Sequence, residues 1–392
     1  MTQPRIANFL AHYPKPGGTT TAVLGLSRAL MRLGWDVIIY CCTEDAQPSD
    51  QDGADGGIRI QRFGSRGRNP FHVDPELLDR ISRNQDEIDL LIINGMFYPP
   101  NLALGRAARR ARIPYIVCPH DPYHPELLKK GRWRKLPYGM LYERPFLNAA
   151  SAVQVLAEEH AKLLSHYGVL RPVLVVPNGF DSRKVLESST EQVRPHASQE
   201  GSPSFVYLGR LDMHHKGLDL LLKGLALGIF QGKLPQTLRL DFVGADWGDQ
   251  RKLELLADRL GITQNVRFLG RIPDRSPTAI ISFYDLLVLP SRFDGFGLVV
   301  LEAMVAAKPV IVSEEAGISS YVKKAQCGYL VKPDSTSISL GLIRAFQTKD
   351  EWRSMGSKGK EFAYKHLTWD KSAEQACHEY DKILHEKIGI SR

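Results

Sequence analysis

The sequence has few cysteines and no long apolar run. Its 392 residues include five cysteines, an odd number without a C-x-x-C pair, which suggests neither a disulfide framework nor a zinc site. We expect reduced, buried thiols at Cys41, Cys42, Cys118, Cys327 and Cys377. No apolar stretch approaches the ~20 residues that cross a bilayer, and the N-terminal stretch does not resemble a secretory signal. The protein is therefore expected to stay in the cytoplasm.

Two familiar nucleotide-binding fingerprints are also missing. Gly17 and Gly18 follow the first apolar run and precede a helical pattern, but neither G-x-G-x-x-G nor the P-loop lysine is present. An oxidoreductase that depends on a dinucleotide is therefore the weakest functional hypothesis. His214 and His215 have no carboxylate or cysteine at ligand spacing, and adjacent histidines in a loop are usually solvated. The sequence therefore predicts no metal site.

The composition favours a soluble globular protein with two domains. Hydrophobic residues make up 43% and charged residues 24% of the chain, which is an ordinary globular balance. A length of 392 residues suits two cores of roughly 150 to 200 residues each. The formal charge of +8 favours anionic partners, but it does not distinguish phosphorylated small molecules from an anionic membrane surface or nucleic acid.

Short apolar runs alternate with helical patterns along the chain. The first series, from residue 5 to residue 178, consists of the runs RIANFLA, DVIIYC, DLLIIN, PYIVCP and VLVVPN, with a helix expected from Thr19 to Leu33. The second series, from residue 204 to residue 313, consists of the runs SFVYLG, LRLDFVG, VRFLG, DLLVLP and PVIVS. Such alternation is typical of parallel strands joined by crossover helices. We therefore predict an α/β fold with two doubly wound, Rossmann-like parallel sheets.

The predicted domain boundaries follow from a break in this pattern. Residues 183–203 are polar and contain Pro and Ser, which indicates a linker. An N-terminal domain is thus predicted at 1–182 and a C-terminal domain at 204–367. In the final stretch, 368–392, apolar residues recur every three or four positions, which predicts a helix with one apolar face. Two such domains facing across a cleft would bind ligands beyond the carboxyl ends of their strands.

The stretch RFDGFGLVVLEAM, residues 292–304, carries two acids in unusual places. It predicts a glycine-rich loop with Asp294, followed by a helix whose first N–H groups, at Gly297 to Val299, suit an anion such as phosphate. Glu302 lies one turn further along this apolar helix, where burying a carboxylate without a partner costs several kcal/mol, by the ~2 to 7 kcal/mol scale for unsatisfied polar groups. Glu302 therefore needs a partner, which is either ligand hydroxyls or a structural contact such as a salt bridge or the helix dipole.

Two further motifs contain candidate ligand contacts. The loop GRLDMHHKG at 209–217 carries Arg210, with a planar fork of donors, and Lys216, with a compact charge. Together the two cations suit a diphosphate, although two solvated surface cations would leave the same pattern. His120, in CPHDPYH at 118–124, follows a predicted strand. It could contact a phosphate or sugar hydroxyl, or serve a structural role.

A basic and aromatic run occupies residues 127–146. Five cations surround Trp133 in this run: Lys129, Lys130, Arg132, Arg134 and Lys135. The combination suits contact with anionic lipid headgroups on the inner face of the plasma membrane. A solvated positive face would look the same. A nucleic-acid patch is the third reading, but no DNA- or RNA-binding motif supports it, so no nucleic-acid partner is predicted.

Taken together, the motifs resemble the retaining GT-B glycosyltransferases of the "glycosyl transferases group 1" type, family four. The motifs are, in chain order, the early GG loop, VVPNGFD, GRL followed by KG, VRFLG, LVLPS, and GFGLVVLEAM followed by KPVIVS. The resemblance covers nearly the whole chain. It implies transfer from a UDP- or GDP-sugar, with UDP favoured, to a glycan or polyprenyl-linked acceptor of cell-surface polysaccharide or glycolipid synthesis. It also implies retention of configuration, no obligatory metal or cofactor, and a terminal helix that completes the first domain.

The resemblance implies roles for individual residues. Arg210 and Lys216 would bind the diphosphate, His120 would reach the transferring sugar, and Glu302 would hold the ribose hydroxyls. Gly18 would let a loop of the first domain approach the donor. The remaining donor contacts would come from backbone near the distal phosphate and sugar, at Phe296, Gly297, Leu298 and Val299, and near the base, at Gly270 and Arg271.

Asp294 is a departure from the pattern of the family. The family usually has a glutamate at this position, with seven residues before the second acid, and aspartate is one methylene shorter. Asp294 is still expected to act on the sugar, but its reach differs, so the preference for a donor sugar depends on it. Two alternatives remain on the same fold, a sugar-nucleotide epimerase and a non-catalytic protein that binds nucleotide sugars.

Overall fold

The computed structural model describes residues 3–11, 17–43, 53–55, 57–64, 72–121, 123–129, 131–183, 203–273 and 275–388. The chain divides into two compact units, one formed by Met1–Gly179 with Trp369–Arg392 and the other by Phe180–Thr368. The division falls just before the predicted linker at 183–203, and nearly all of that linker lies outside the described residues.

The first unit contains an eight-stranded sheet. Its strands are β1 Arg5–Leu10, β2 Asp36–Thr43, β3 Gly53–Asp55, β4 Ile58–Gly64, β5 Leu90–Asn94, β6 Tyr115–Cys118, β7 Ala152–Val155 and β8 Val173–Val175. The spatial order is β3-β4-β2-β1-β5-β6-β7-β8, and only β3 and β4 pair antiparallel. Strands β5, β6 and β7 are buried along their whole length, as expected of parallel strands covered on both faces.

Helices cover the strands of the first unit. They are α1 Gly18–Arg32, α2 Pro75–Ser82, α3 Pro99–Arg110, α4 Pro125–Lys129, α5 Arg132–Tyr138, α6 Arg144–Asn148 and α7 His160–Tyr167. Helices α2 and α3 begin on proline, which is well tolerated where a helical N–H has no acceptor. A π-helical turn, Gly139–Glu143, joins α5 to α6. It follows Pro137, which cannot donate the usual backbone hydrogen bond.

The second unit contains a six-stranded parallel sheet. Its strands are β9 Ser204–Leu208, β10 Arg239–Val243, β11 Val266–Gly270, β12 Leu286–Leu289, β13 Val310–Ser313 and β14 Gly328–Val331. The spatial order is β11-β10-β9-β12-β13-β14. The connections leave β9 toward both sides, so the strand order reverses there. In doubly wound sheets, ligands bind at this reversal, beyond the carboxyl ends of the strands.

The helices of the second unit follow its strands. They are α8 Leu218–Phe230, α9 Gln250–Arg259, α10 Pro277–Ser282, α11 Leu298–Val305, α12 Ser319–Ala325, α13 Ser335–Gln347 and α14 Trp352–His366. The last helix, α15 Trp369–Ile388, belongs to the first unit. No helix in the described part of the chain is long and apolar enough to cross a membrane.

Helix α15 packs on α1 at a point where α1 has no side chain. A Cβ atom added at Gly25 would lie 2.2 Å from the ring of Trp369, so only glycine allows this approach. The hydroxyl of Tyr380 donates to Oε1 of Gln154 at 2.5 Å. The apolar face of α15 is thus part of the core of the first unit.

The two predicted Rossmann-like sheets are confirmed, with differences in detail. Helix α1 begins one residue earlier than predicted, at Gly18. Four strands had not been predicted: β3, β4, β7 and β14. Strand β4, IRIQRFG, mixes charged and apolar residues, and the other three have only three or four residues. All five cysteines are unpaired, and only Cys377 is partly exposed.

Candidate functional site

Two strand-end loops of the second unit are held together at one edge of the sheet. The first loop, residues 209–217, follows β9, and the second, residues 290–297, follows the parallel neighbour β12. The backbone N–H of Arg292 donates to the carbonyl of His215 at 3.0 Å. A Cβ atom added at Gly217 would lie 2.2 Å from the carbonyl oxygen of Pro290. The missing side chain at Gly217 therefore permits the close approach of the two loops.

This approach brings together two of the predicted site residues. The ammonium group of Lys216 lies 2.5 Å from Oδ2 of Asp294, and both side chains are mostly buried. Burial by itself would raise the pKa of Asp294. The charge and hydrogen bond of Lys216 outweigh burial and hold the pKa below its ordinary value. The sequence predicted that each residue contacts ligand, and the structure adds that they contact each other.

Arg210 lies in the same loop but has different partners. Its guanidinium donates to Nδ1 of His215 at 3.2 Å and lies 4.4 Å from the centroid of the Trp247 ring. His215 is half-buried and its ring stacks on Phe293, so the expectation that both loop histidines are solvated is wrong for His215. Neither His215 nor Trp247 was predicted as a site residue. The sequence marks them only by position, because His215 is adjacent to Lys216 and Trp247 lies in the turn ADWGD that follows β10.

Glu302 lies on α11 without a protein partner among the described residues. Its side chain is partly buried, and burial raises its pKa to about 8. No cation or amide donor in the described part of the chain contacts its carboxylate, so the structural salt bridge considered as an alternative partner is not formed there. The other candidate partner, a set of ligand hydroxyls, stays a prediction.

Helix α11 begins at the same sheet edge. Gly297 precedes it with a φ of 90°, a left-handed conformation that favours glycine. The carbonyl of Phe296 accepts from the N–H of Ile318 at 2.8 Å, which fixes the loop just before the helix. The first N–H groups of a helix, here from Leu298 and Val299, have no acceptor within the helix and suit an anion.

Gly270 and Arg271 lie away from this cluster. They follow β11, which is two strands from β9 in the sheet. Gly270 has a φ of 66°, and its carbonyl accepts from the N–H of Gly244 at 2.8 Å. Arg271 is exposed. Both residues share the sheet edge with the cluster but do not join it.

His120 and Gly18 belong to the first unit. His120 follows β6 with a φ of 61°, and its Nε2 lies 2.8 Å from Oδ1 of Asn94. Burial lowers the pKa of His120 to about 4, so the ring is neutral near pH 7. His120 and Asn94 line a pocket with three other uncharged polar side chains: Asn8, Gln154 and Asn178. Gly18 is the first residue of α1.

No metal cluster is formed among the described residues. No group of three histidine, cysteine, aspartate or glutamate side chains in that part of the chain is placed to hold a metal ion. His215 instead contacts Arg210, as described above. The cluster at the edge of the second sheet therefore consists of two cations, a paired acid, an unpaired acid and a helix start.

Two family models match the chain in succession. The model described as "Glycosyltransferase Family 4" matches residues 16–184, and the model described as "Glycosyl transferases group 1" matches residues 188–362. Each match covers most of one structural unit. The second match includes the loops that carry Arg210, Lys216 and Asp294.

Curated relatives match along nearly the whole chain. Mannosylfructose-phosphate synthase of Agrobacterium fabrum is 24% identical, and the alignment covers 95% of this chain and 90% of that protein. D-inositol 3-phosphate glycosyltransferase of Xylanimonas cellulosilytica is 26% identical, with 91% and 89% covered. The first name describes synthesis of mannosylfructose phosphate, and the second describes a glycosyltransferase that acts on D-inositol 3-phosphate.

Solved structures match the fold. Sucrose-phosphate synthase from Thermosynechococcus elongatus superposes with a TM-score of 0.74 at 22% identity, covering 98% of this chain and all of that one. Anabaena HepE in complex with UDP and glucose superposes with a TM-score of 0.72 at 20% identity, covering 97% and 100%. With the two family matches and the two Rossmann-like units, these similarities establish that the chain belongs to the GT-B glycosyltransferases of the family 4, group 1 type.

Proposed function

We propose that this glycosyltransferase takes its sugar from a nucleotide diphosphate sugar, with UDP as the favoured nucleotide. The observation that carries this proposal is the contact between Lys216 and Asp294, which joins two strand-end loops beside Arg210. Two cations at one sheet edge suit a diphosphate, and an acid held against one of them suits a sugar hydroxyl. The complex of Anabaena HepE with UDP and glucose supports the choice of UDP.

The proposed reaction develops charge where these groups lie. Departure of the nucleotide builds negative charge on the distal phosphate and positive character on the anomeric carbon. Arg210, Lys216 and the first N–H groups of α11 are proposed to stabilise that negative charge. Removing one preorganised group of this kind commonly costs ~3 to 4 kcal/mol of transition-state stabilisation.

The remaining site residues have proposed roles of their own. Glu302 is proposed to accept hydrogen bonds from the ribose hydroxyls, and His120 to contact a hydroxyl of the transferred sugar. Gly18 is proposed to allow close approach of backbone to the donor. Backbone groups are proposed to hold the phosphate and sugar at Phe296, Gly297, Leu298 and Val299, and the base at Gly270 and Arg271.

The proposed stereochemistry is retention without a metal or other cofactor. The acceptor hydroxyl attacks the face from which the phosphate leaves, and its proton passes to the departing phosphate oxygen. The bond to the phosphate oxygen breaks as the bond to the acceptor oxygen forms. NMR of the product reads the anomeric configuration, and an inverted product contradicts the mechanism. If EDTA abolishes activity and a divalent cation restores it, the proposal that the reaction needs no metal is contradicted.

A donor screen tests the site assignment. Binding and nucleotide release are measured with several UDP- and GDP-sugars for the wild type, Arg210→Ala and Glu302→Gln. Both variants are expected to weaken donor binding, and Arg210→Ala to slow nucleotide release by at least about a hundredfold. Unchanged binding in both variants contradicts the assignment. An epimerised sugar formed from donor alone favours the epimerase instead, and binding without turnover favours a non-catalytic protein.

The acceptor is proposed to be a glycan or polyprenyl-linked sugar used in cell-surface polysaccharide or glycolipid synthesis, reached at an anionic membrane surface. Support for the membrane contact comes from the basic and aromatic run at 127–146, where five large hydrophobic side chains are exposed: Trp133, Leu136, Met140, Leu141 and Tyr142. Trp133 is 72% exposed beside Arg132 and Arg134. Exposed aromatic and cationic groups together suit the headgroup region. Lys130 lies outside the described residues.

Vesicle sedimentation tests the membrane contact. The wild type is expected to bind vesicles rich in phosphatidylglycerol and not phosphatidylcholine alone, with binding weakened by salt. Trp133→Ser combined with Leu141→Ser should abolish binding, whereas Leu170→Ser, at another exposed leucine of the same unit, should not. Equal sedimentation of all three proteins, or none with anionic vesicles, contradicts the contact.

A further inference from the structure

Two side chains hold the guanidinium group of Arg210 from different directions. The Cζ atom of Arg210 lies over the Trp247 ring at 4.4 Å from its centroid, and Nδ1 of His215 accepts from Nη2 of Arg210 at 3.2 Å. We propose that Trp247 and His215 are positioning residues, which hold Arg210 ready for the diphosphate of the donor. The inference rests on the proposed function and goes beyond it, because it assigns a positioning role to two residues that are not among the proposed donor contacts.

The turn that carries Trp247 is rigidly built. Oδ1 of Asp246 accepts from three successive backbone N–H groups, those of Gly248, Asp249 and Gln250, at 2.8, 2.9 and 3.0 Å. The turn is also tied to the loop of Arg210, because the N–H of Met213 donates to Oδ2 of Asp249 at 3.0 Å. Trp247 therefore stays 60% exposed in a fixed place, with Arg210 over its ring.

The hydrogen bond from Arg210 determines which ring nitrogen of His215 carries the proton. A guanidinium group only donates, so Nδ1 of His215 must be the acceptor and the proton of the neutral ring lies on Nε2. Burial lowers the pKa of His215, and the charges of Lys216 and Arg210 lower it further against the opposing effect of Asp294 and Asp212. The ring thus stays neutral near pH 7 and keeps its lone pair for Arg210.

The backbone of this loop is fixed as well as the side chain. The carbonyl of Arg210 accepts from the hydroxyl of Tyr207 at 2.7 Å, and the N–H of Leu211 donates to the carbonyl of Ala245 at 2.9 Å. The N–H of His215 donates to Oδ1 of Asp212 at 3.0 Å. Both the base and the tip of the Arg210 side chain are therefore restrained.

The two cations of the loop differ in whether a carboxylate pairs with them. Lys216 forms an ion pair with Asp294, whereas no carboxylate in the described part of the chain pairs with Arg210. A long arginine side chain that is free to rotate loses conformational entropy when a ligand orders it. Trp247 and His215 restrain Arg210 before the ligand binds and do not cancel its charge. Less conformational entropy is therefore lost on binding, and the affinity for a diphosphate is higher.

A double-mutant cycle tests this proposal, with UDP binding measured by calorimetry. Trp247→Leu is expected to raise the dissociation constant for UDP about 2- to 5-fold, the range that corresponds to a cation–π contact at an exposed site. Trp247→Phe keeps an aromatic face and should recover most of the affinity. In an Arg210→Ala background, Trp247→Leu should have no further effect, because there is no guanidinium left to position.

His215 is tested in the same way. His215→Phe keeps the stacking on Phe293 but removes the acceptor, and it is expected to weaken UDP binding about tenfold in the presence of Arg210 only. Phe230→Leu is the matched control, an exposed aromatic at the far end of α8, and should leave UDP binding unchanged. Circular dichroism establishes that each variant is folded.

The outcomes separate this inference from the proposed function. If folded wild-type protein binds neither UDP nor GDP, both the proposed function and this inference are contradicted. If the wild type binds and Arg210→Ala weakens binding, but Trp247→Leu and His215→Phe do not, only the inference fails. If Trp247→Leu is equally harmful with and without Arg210, Trp247 acts independently of Arg210 and the inference is again overturned.

Discussion

At the residue scale, the partly buried side chain of Glu302 makes the free energy of unfolding fall as pH rises. Burial raises its pKa to about 8 in the folded protein, whereas an unfolded chain has a glutamate pKa of about 4.3. Between these values the folded protein keeps a proton that the unfolded chain has released. The contribution to stability is therefore complete below about pH 4 and is lost as pH rises through 8.

Glu302→Gln should remove this loss. We expect the variant to exceed the wild type in free energy of unfolding by about 1–3 kcal/mol at pH 8.5, and by less than about 0.5 kcal/mol at pH 4.5. Urea unfolding at the two pH values measures the difference. Glu361→Gln, at an exposed position of α14, is the control and should show no such trend. Parallel pH profiles for the wild type and Glu302→Gln would contradict the prediction.

Asp294 differs from Glu302 because its charge is already paired. Asp294→Glu keeps the carboxylate but lengthens its reach by one methylene, so the proposed contact with the sugar should shift. We expect the ratio of kcat/KM values between two UDP-sugars to change by about tenfold, a loss typical of one misplaced hydrogen bond. Steady-state kinetics with a panel of UDP-sugars measures the ratio. An unchanged ratio would show that Asp294 does not determine the preference for a donor sugar.

Asp294→Asn is the companion variant, and it concerns stability. It removes the charge that neutralises the mostly buried ammonium group of Lys216. Breaking a buried pair from one side typically costs about 3–5 kcal/mol, and the partial exposure of this pair places the expected loss at the lower end. Asp294→Glu should lose much less.

At the scale of elements, the site depends on how closely two loops approach. Gly217 has a φ of 65° and lies against the Pro290 carbonyl, whereas Gly232 has a φ of 68° and nothing within 4 Å of the position of its missing Cβ. The two glycines share a left-handed φ and differ in what surrounds the position of the missing Cβ. They therefore form a matched pair for separating backbone strain from steric overlap.

Alanine at these two glycines should have unequal effects. Gly232→Ala is expected to cost about 1–2 kcal/mol, which is the strain of a left-handed conformation alone. Gly217→Ala adds an overlap with backbone, so we expect a loss of about 3 kcal/mol or more and weaker UDP binding. Urea unfolding and calorimetry measure both. Equal effects of the two substitutions would show that the close approach of the loops does not matter.

The strands that pattern alone did not predict are very short or are interrupted by charged and polar residues. Runs such as LLIIN and YIVC are apolar and β-branched throughout, so their strands were predicted. Strand β4 is held by pairing with β2 more than by its own composition, since Arg59, Gln61 and Arg62 interrupt it. Local propensity cannot reveal such a strand, because its stability comes from a neighbour distant in sequence.

At the scale of the whole molecule, the two ends of the chain share one core. Helix α15 contributes four fully or nearly fully buried residues to the first unit: Trp369, Ala373, Ala376 and Tyr380. They pack with residues of α1 and the first strands, such as Leu30 and Ile6. The first unit therefore needs the end of the chain, while the second is formed by one continuous segment.

A charge placed on this face of α15 should destabilise the first unit only. Ala373 is completely buried, so Ala373→Glu is expected to cost at least about 3 kcal/mol in the first unit. Differential scanning calorimetry should show one transition shifted downward and the other unchanged. Glu374→Gln, on the exposed side of the same helix, is the control. An equal shift of both transitions would contradict independent cores.

The sequence by itself determined the two Rossmann-like sheets, the family, the loops that carry Arg210, Lys216 and Asp294, and the helix that carries Glu302. These follow from short-range information, namely apolar periodicity and motifs whose residues are close in the chain. Only the tertiary structure decided the partners: Lys216 pairs with Asp294 across 78 positions, Arg210 rests on Trp247, and Glu302 has no donor among the described residues. Such partners are set by strand order and loop packing, which place distant residues at one sheet edge and leave no local pattern in the chain.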